Sequence, residues 1–363
     1  MALLQELKFN IIKKRVEMNL FRILLFVILT INISCAQTND DELFVAHWNV
    51  ENLFDTNNDP KTNDDEFLSA GTKEWNEERL DRKMYNLSRV IRAMNNNNGP
   101  DLLGICESEH QHLLDSLSKN YLSDKNYKTA YLESPDGRGI DNGIIYNADK
   151  LSLLNIQGYE TRFSDNYDTR LVLLGTFFLN KKDTLYFIVN HWPSRRGGQE
   201  ASEPRRIRVA ETLRVVIDSL FTINPKSKII IAGDFNEEPT NISITETLGA
   251  YPFVCDSLDP KLLHQDFETN LFNASYKAWY DGLGSYFYQQ DFSMLDQIII
   301  SRELLIGNKI IYDCNSFDVF KPDFMITRTG KFKGAPFPTY GGNRYLGGYS
   351  DHYPVTIKLK LLD

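Results

Sequence analysis

Six apolar runs in this chain carry a carboxylate, an amide or a histidine at one end or just inside. That repetition constrains the fold more than any other feature of the 363 residues. The run Leu43–Asn49 delivers Asn49 and then Glu51, and Leu102–Cys106 delivers Glu107. Leu185–Val189 delivers Asn190 and His191, with Arg195 and Arg196 soon after, and Lys228–Ala232 delivers Asp234 and Asn236. Asp296 sits between Leu295 and Ile298, and Tyr349-Ser350-Asp351-His352 precedes the last run. Short apolar runs bounded by polar clusters read as buried strands, and polar groups at strand ends are where a rigid scaffold presents chemistry.

Two helices separate these strands. Asn76 is placed to cap a helix whose apolar stripe is Leu80, Met84, Leu87, Ile91 and Met94, stopped by Asn95–Asn98 and Gly99-Pro100. Ser202 is expected to cap a second, with Pro204 in its first turn and a stripe through Ile207, Ala210, Leu213, Ile217, Leu220 and Phe221. A short helix is expected near His110–Leu117, and further strands at Tyr127–Leu132, Gly143–Tyr146, Leu171–Leu179, Met294–Ile300 and Pro354–Leu359. The pattern predicts one α/β domain over residues 37–363, with sheets in the middle and helices outside. Periodicity alone leaves a four-layer sandwich and a doubly wound sheet both open. A chain 42% hydrophobic and 25% charged is neither a disordered segment nor a fibrous repeat.

Residues 20–33 form the only long apolar run, interrupted by Arg22 and followed by Ser34-Cys35-Ala36. Its core is short for a membrane span, so residues 1–36 are read as an N-terminal extension and signal peptide, with Met18 an alternative start. Export to the periplasm, the exterior or, through a lipidated Cys35, the outer membrane is therefore expected. Cleavage after Ala36 or Gln37 is the alternative to lipidation, and Asn32 stands where lipoprotein signals favour Leu. Residues 1–36 contain five bases (Lys8, Lys13, Lys14, Arg15, Arg22) and two acids (Glu6, Glu17). Their removal leaves 35 bases against 47 acids, a net charge of −12. That balance disfavours a protein that coats nucleic acid, while leaving room for local phosphate binding. The odd set Cys106, Cys255 and Cys314 reads as buried small hydrophobes rather than a disulfide framework.

Oxygen donors converging with two histidines suit a hard cation and phosphoryl chemistry: carboxylates for Mg²⁺, His for proton transfer, Asn and Arg for phosphate oxygens. Asp296 within an apolar strand needs a buried partner, and His352 is the candidate. His47 and Trp48 are read as core or supporting residues. His110 and His112 are read as helix surface, and Arg205-Arg206-Arg208 as a solvated helix start. Gly137–Gly143 is read as a hairpin turn at the rim, and Phe324–Gly348 as a lid or substrate loop.

Taken in order, Asn49-Val50-Glu51-Asn52-Leu53, Cys106-Glu107, Gly233-Asp234-Phe235-Asn236, Leu295-Asp296-Gln297 and Ser350-Asp351-His352 resemble the endonuclease/exonuclease/phosphatase superfamily. That group includes DNase I-like nucleases, apurinic-site endonucleases, sphingomyelinases and inositol polyphosphate 5-phosphatases. The likeness spans residues 43–361 and is nearest to exported bacterial members. It implies a four-layer α/β/β/α sandwich with two mixed central sheets. It implies Mg²⁺, with Mn²⁺ as a substitute, held by Glu107 with Asn49, Glu51 and Asp351. Glu51 departs from the family pattern, where Asp or a small residue is common. His352, oriented by Asp296, would act on the attacking water, which Asp234 positions. Asn236 would hold a phosphate oxygen, His191 would contact the phosphate or protonate the leaving oxygen, and the presence of His191 leans away from apurinic-site enzymes. Asn190, Arg195 and Arg196 are further phosphate candidates. The implied activity is phosphodiester hydrolysis of endonuclease type on DNA or RNA, with no stable protein partner. The alternatives are hydrolysis of phospholipid, nucleotide or sugar phosphates, and a catalytically silent binding module.

Overall fold

In the first described strand, β1 (Glu42–Leu53), successive side chains face opposite ways, and nearly all of them are buried. Such a strand needs cover on both faces, and the layers on either side of it provide this. The computed structural model describes residues 1, 41–165, 167–179, 183–259, 261 and 270–362, so the apolar run 20–33 and Cys35 lie outside the described residues. Among the described residues no helix is long and apolar enough to cross a membrane.

The chain continues through helix α1 (Glu77–Asn97), β2 (Leu102–Ser108), helix α2 (Gln111–Ser116), β3 (Tyr127–Tyr131), β4 (Asp141–Asn147), β5 (Leu151–Tyr159), β6 (Val172–Leu179), β7 (Asp183–His191) and helix α3 (Gln199–Ile223). Then come β8 (Ile229–Asp234), β9 (Ala250–Pro252), β10 (Leu271–Asn273), β11 (Tyr286–Tyr288), β12 (Asp291–Ser293), β13 (Asp296–Ser301), β14 (Ile310–Tyr312), β15 (Asp318–Val319), β16 (Tyr340–Gly341), β17 (Arg344–Tyr345) and β18 (Val355–Leu361). One sheet has the order β14-β18-β1-β2-β4-β3, with β15 also on β18, and the other β5-β6-β7-β8-β13-β10-β9. Both are mixed, with β1–β2 and β7–β8 parallel at their centres. The sheets stack face to face, α1 covers the first and α3 the second. This is the expected α/β/β/α sandwich.

Alternation decides which side chain goes where. In β8, Ile230 and Ala232 join the core between the sheets, while Ile229 and Ile231 pack beneath α3 with Leu213 and Ile217. A Cβ on Gly104 would meet Val189 Cγ2 at 3.0 Å and Phe187 Cζ at 3.2 Å, so the missing side chain lets the sheets close together. Asn76 caps α1 as expected, accepting from Arg79 N at 3.1 Å, and Met84, Leu87, Ile91 and Met94 are buried.

Three expectations need correction. Helix α3 starts after Gly198, so Ser202 is not its cap and Pro204 falls in its second turn. The Ser202 hydroxyl instead donates to Gly198 O at 2.7 Å. Arg206 is no solvated residue: it is fully buried on Glu237, with Nε 2.7 Å from Oε1. Cys255 and Cys314 form a disulfide, with Cα atoms 5.8 Å apart, while Cys106 is free and buried. The pairing follows from topology, because Cys255 follows edge strand β9 and Cys314 follows edge strand β14. Edges of different sheets meet there, which spacing in the sequence cannot reveal. The bond closes a loop of 59 residues, and Cys255→Ser or Cys314→Ser is expected to cost about 2–4 kcal/mol in urea unfolding.

Candidate active site

The site residues gather at one end of the sandwich because the parallel pairs β1–β2 and β7–β8 finish there, while β13 and β18 begin there. Asp234 closes β8 on the same face as Ile230 and Ala232, and Asp296 opens β13 directly opposite it in register. His191 ends β7 beside Asp234. Simple alternation would turn Glu107 toward α1, away from these groups. A bulge between Cys106 and Ser108, with Glu107 at φ +68°, swings it back to the cleft.

Asn49 knits the two sheets. Its Nδ2 donates to Glu107 Oε1 at 3.2 Å and to Asp234 Oδ2 at 3.1 Å, and its Oδ1 accepts from Glu51 N at 3.0 Å. Asn52 N donates to Glu107 Oε2 at 2.9 Å. His191 Nε2 stands 3.8 Å from Glu107 Oε1 and 3.7 Å from Asp234 Oδ2. His352 Nδ1 is 2.6 Å from Asp296 Oδ2, which leaves Nε2 facing Asp234 and Asp351, each at 3.9 Å. Asp296 is fully buried and also accepts from Ser285 Oγ at 2.6 Å, while its Oδ1 lies 3.3 Å from His47 Nε2. Trp48 Nε1 donates to His352 O at 3.0 Å. His47 and Trp48 thus support the site, as expected.

The two histidines are driven apart in pKa. Burial alone would lower His352, but Asp296 and Asp351, with Asp234 behind them, hold it well above 6.5. Burial lowers His191 well below 6.5, and Arg170 and Arg138 push the same way. Burial raises Asp351 to about 6, with Glu107 adding to the rise and His352 opposing it. Asp234 is raised by burial and by Asp296, against the pull of His352.

The cleft above these groups holds about 940 Å³. Arg138, Arg170, Arg195, Arg196 and Arg205 line it with Tyr286 and Tyr288. The turn carrying Gly137 and Arg138 forms part of the rim, as expected. Arg195 Nε donates to Asn236 O at 2.8 Å, and Asn236 N to Asp234 Oδ1 at 3.0 Å. The Tyr286 ring lies against His352, tilted by 33° with ring centroids 4.6 Å apart.

Three assigned positions lie elsewhere. Asn190 has the opposite strand parity from His191, so it points away from the cleft. Glu51 is carried off by the bulge in β1, and its two oxygens accept from Thr339 N at 2.6 Å and Tyr340 N at 3.0 Å. Burial raises its pKa to about 7, with Asp351 adding and the buried Lys83 opposing. The segment Phe324–Gly348 supplies no residue to the cleft lining. It packs on α1 through Lys83 Nζ to Thr339 Oγ1 at 2.6 Å and Asn86 Nδ2 to Gly348 O at 2.7 Å. It is a buttress for Glu51 rather than a lid.

Lys83, Arg170, Ser285 and Tyr286 escaped the sequence reading. A lysine at core spacing from Leu80 and Leu87, and the alternating aromatics of Tyr286-Phe287-Tyr288, were the available signals; Arg170 and Ser285 carried none.

Residues 44–361 match the model of the Endonuclease/Exonuclease/phosphatase family, and the chain belongs to that family. Its known members are hydrolases of phosphoesters. The fold is similar to an endonuclease/exonuclease/phosphatase family protein of Bacteroides thetaiotaomicron, at 16% identity and a TM-score of 0.54 over 88% of this chain and 97% of that one. It is similar to the human Nocturnin catalytic domain with bound sulfate anion, at 16% identity and TM-score 0.52 over 88% and 95%. It is also similar to the Bacteroides thetaiotaomicron mannosyl-6-phosphatase Bt3783, at 16% identity and TM-score 0.51 over 87% and 99%. D. rerio TDP2 complexed with single strand DNA product matches at 14% identity and TM-score 0.52 over 88% and 99%. No curated protein sequence matches the chain.

In metal-free protein, an imidazole NMR titration is expected to place His352 above 6.5 and His191 below it. Asp296→Asn removes the charge that favours imidazolium and is expected to bring His352 down. An unmoved His352 would transfer that role to Asp351 and Asp234.

Proposed function

We propose that the chain is an exported, Mg²⁺-dependent phosphodiesterase of endonuclease type. The observation that carries this reading is the meeting of Glu107, Asp234, His191 and the Asp296–His352 pair beneath an open cleft walled by five arginines. Members of the family typically use a divalent metal, and the donor set here fits one. Glu107, Asp234 and Asp351 are crowded carboxylates, two of them pushed upward in pKa by burial, and a cation would relieve that crowding. Glu107 and Asp351 would hold the ion. Asn49, whose amide donates to Glu107, sets the geometry, and Glu51 anchors the neighbouring loop. When bound, the ion supplies charge stabilisation to the phosphoryl oxygens.

The remaining work falls to side chains. Asp296 fixes the Nδ1–H tautomer of His352, and Nε2 would accept a proton from water held by Asp234 once the Asp351 and Asp234 charge that otherwise favours imidazolium is offset by a bound cation. His191, neutral, offers an N–H to a phosphate oxygen. Asn236 and the arginine wall orient the diester. Arg138, Arg195, Arg196 and Arg205 with the stacked tyrosines fit a substrate with several phosphates and ring faces better than a lone monoester, while Arg170 is buried on Asp136 and the carbonyls of His191 and Trp192. Export is supported by the apolar run 20–33 before Ser34-Cys35-Ala36 and by the Cys255–Cys314 disulfide, a bond favoured in oxidising compartments.

The test is Mg²⁺-dependent nicking of supercoiled plasmid by the purified protein. Nicking is expected to vanish in EDTA and to fall about 10²–10⁴-fold in His352→Ala and His191→Ala. Turnover of sugar phosphates or other monoesters without nicking would replace this reading with a phosphatase. Inactivity on every phosphoester would leave a binding module.

A further inference from the structure

Away from the cleft, three carboxylates are buried without a lysine or arginine to match them. Asp55, Asp64 and Glu109 are 8%, 2% and 1% exposed, and among the described residues none has a Lys or Arg ion-pair partner. Glu109 Oε2 accepts from Asp55 N at 2.8 Å, but its Oε1, shut off from solvent, accepts nothing. Asp64 Oδ1 is likewise buried without a partner. Carboxylates packed together in a dry site are costly unless something positive joins them.

Two imidazoles stand at the same place. His110 is extended at the N-cap of α2, not on its face, so the His-x-His pair straddles a strand–helix junction. The ring centroids of His110 and His112 are 5.6 Å apart, and His112 Nε2 lies 3.3 Å from Asp55 Oδ2. One potential ligand atom from each of Asp55, Glu109 and His110 falls within 4.8 Å of the others. His110 Nδ1 is 3.1 Å from Glu133 Oε1, the kind of outer contact that orients an imidazole whose other nitrogen binds metal.

The geometry points to a second cation site, separate from the cleft, in which Asp55, Glu109 and His110 bind Zn²⁺ and His112 stands beside them on Asp55. An imidazole joined to two carboxylates suits Zn²⁺, with a fourth position left for water, and suits Mg²⁺ or Ca²⁺ poorly. None of the four lines the cleft. The site clamps the end of β1 to the end of β2, where Glu109 N already donates to Leu53 O at 2.9 Å. It therefore sits just behind the bulge that aims Glu107.

The test is calorimetric titration of the EDTA-stripped, dialysed full chain with ZnCl₂ in excess MgCl₂, with melting temperature as a second readout. One Zn²⁺ per chain and a raised melting temperature are expected. His110→Ala and Glu109→Gln are each expected to weaken binding at least about tenfold and to lose the thermal shift. Glu107→Gln, altered in the cleft, should retain both. Absence of saturable binding would overturn the site. So would binding that survives His110→Ala but fails in Glu107→Gln, since the ion would then lie in the cleft. His110 has a side chain 26% exposed, so His110→Ala carries the test should Glu109→Gln not fold.

Discussion

The cleft depends on where two parallel strand pairs stop. Parallel neighbours end on the same side, so β1 with β2 and β7 with β8 bring four strand ends to a single rim once the sheets are stacked. The stacking is close because Gly104 leaves room for Val189 and Phe187. A side chain there would wedge the sheets apart and lengthen the 3.1 Å reach of Asn49 from the first sheet to Asp234 on the second. The spacing of the site is thus a packing distance before it is a matter of loop conformation.

Within that rim, one fully buried carboxylate sets the charge pattern. Asp296 is surrounded by His352, His47 and Ser285, and the two histidines, His352 first, hold it well below the usual carboxylate range despite its burial. Its negative charge keeps His352 basic, while burial, with Arg170 and Arg138 adding, lowers His191. Two histidines in one cleft are thereby pushed to opposite sides of the ordinary imidazole value, a pattern that separates acid from base roles.

The layers were legible in the sequence because burial writes itself into periodicity. The stripe of α1 and the apolar cores of β1, β2, β7 and β8 were readable, as was the choice of Asp296 and His352 as partners, since an acid in an apolar strand needs one. What was not legible arose from departures from regular geometry. Bulges redirected Glu107 toward the cleft and Glu51 away from it, and strand parity removed Asn190. The edge strand β5 went unseen because most of its residues are exposed, and three-residue strands such as β9 and β10 are too short to show a period. Cys255 and Cys314 meet only because the two sheet edges do.

The pairing of β1 with β18 carries a kinetic consequence. The first described strand finds one of its neighbours in the last, and Trp48 bonds to His352 across 304 positions of chain. A chain emerging from one end lacks both the strand that completes the first sheet and the histidine of the site until nearly all of it is present. Contacts of such long range slow folding by the loop entropy they must overcome. The site is therefore assembled late, only after His352 and β18 have joined β1.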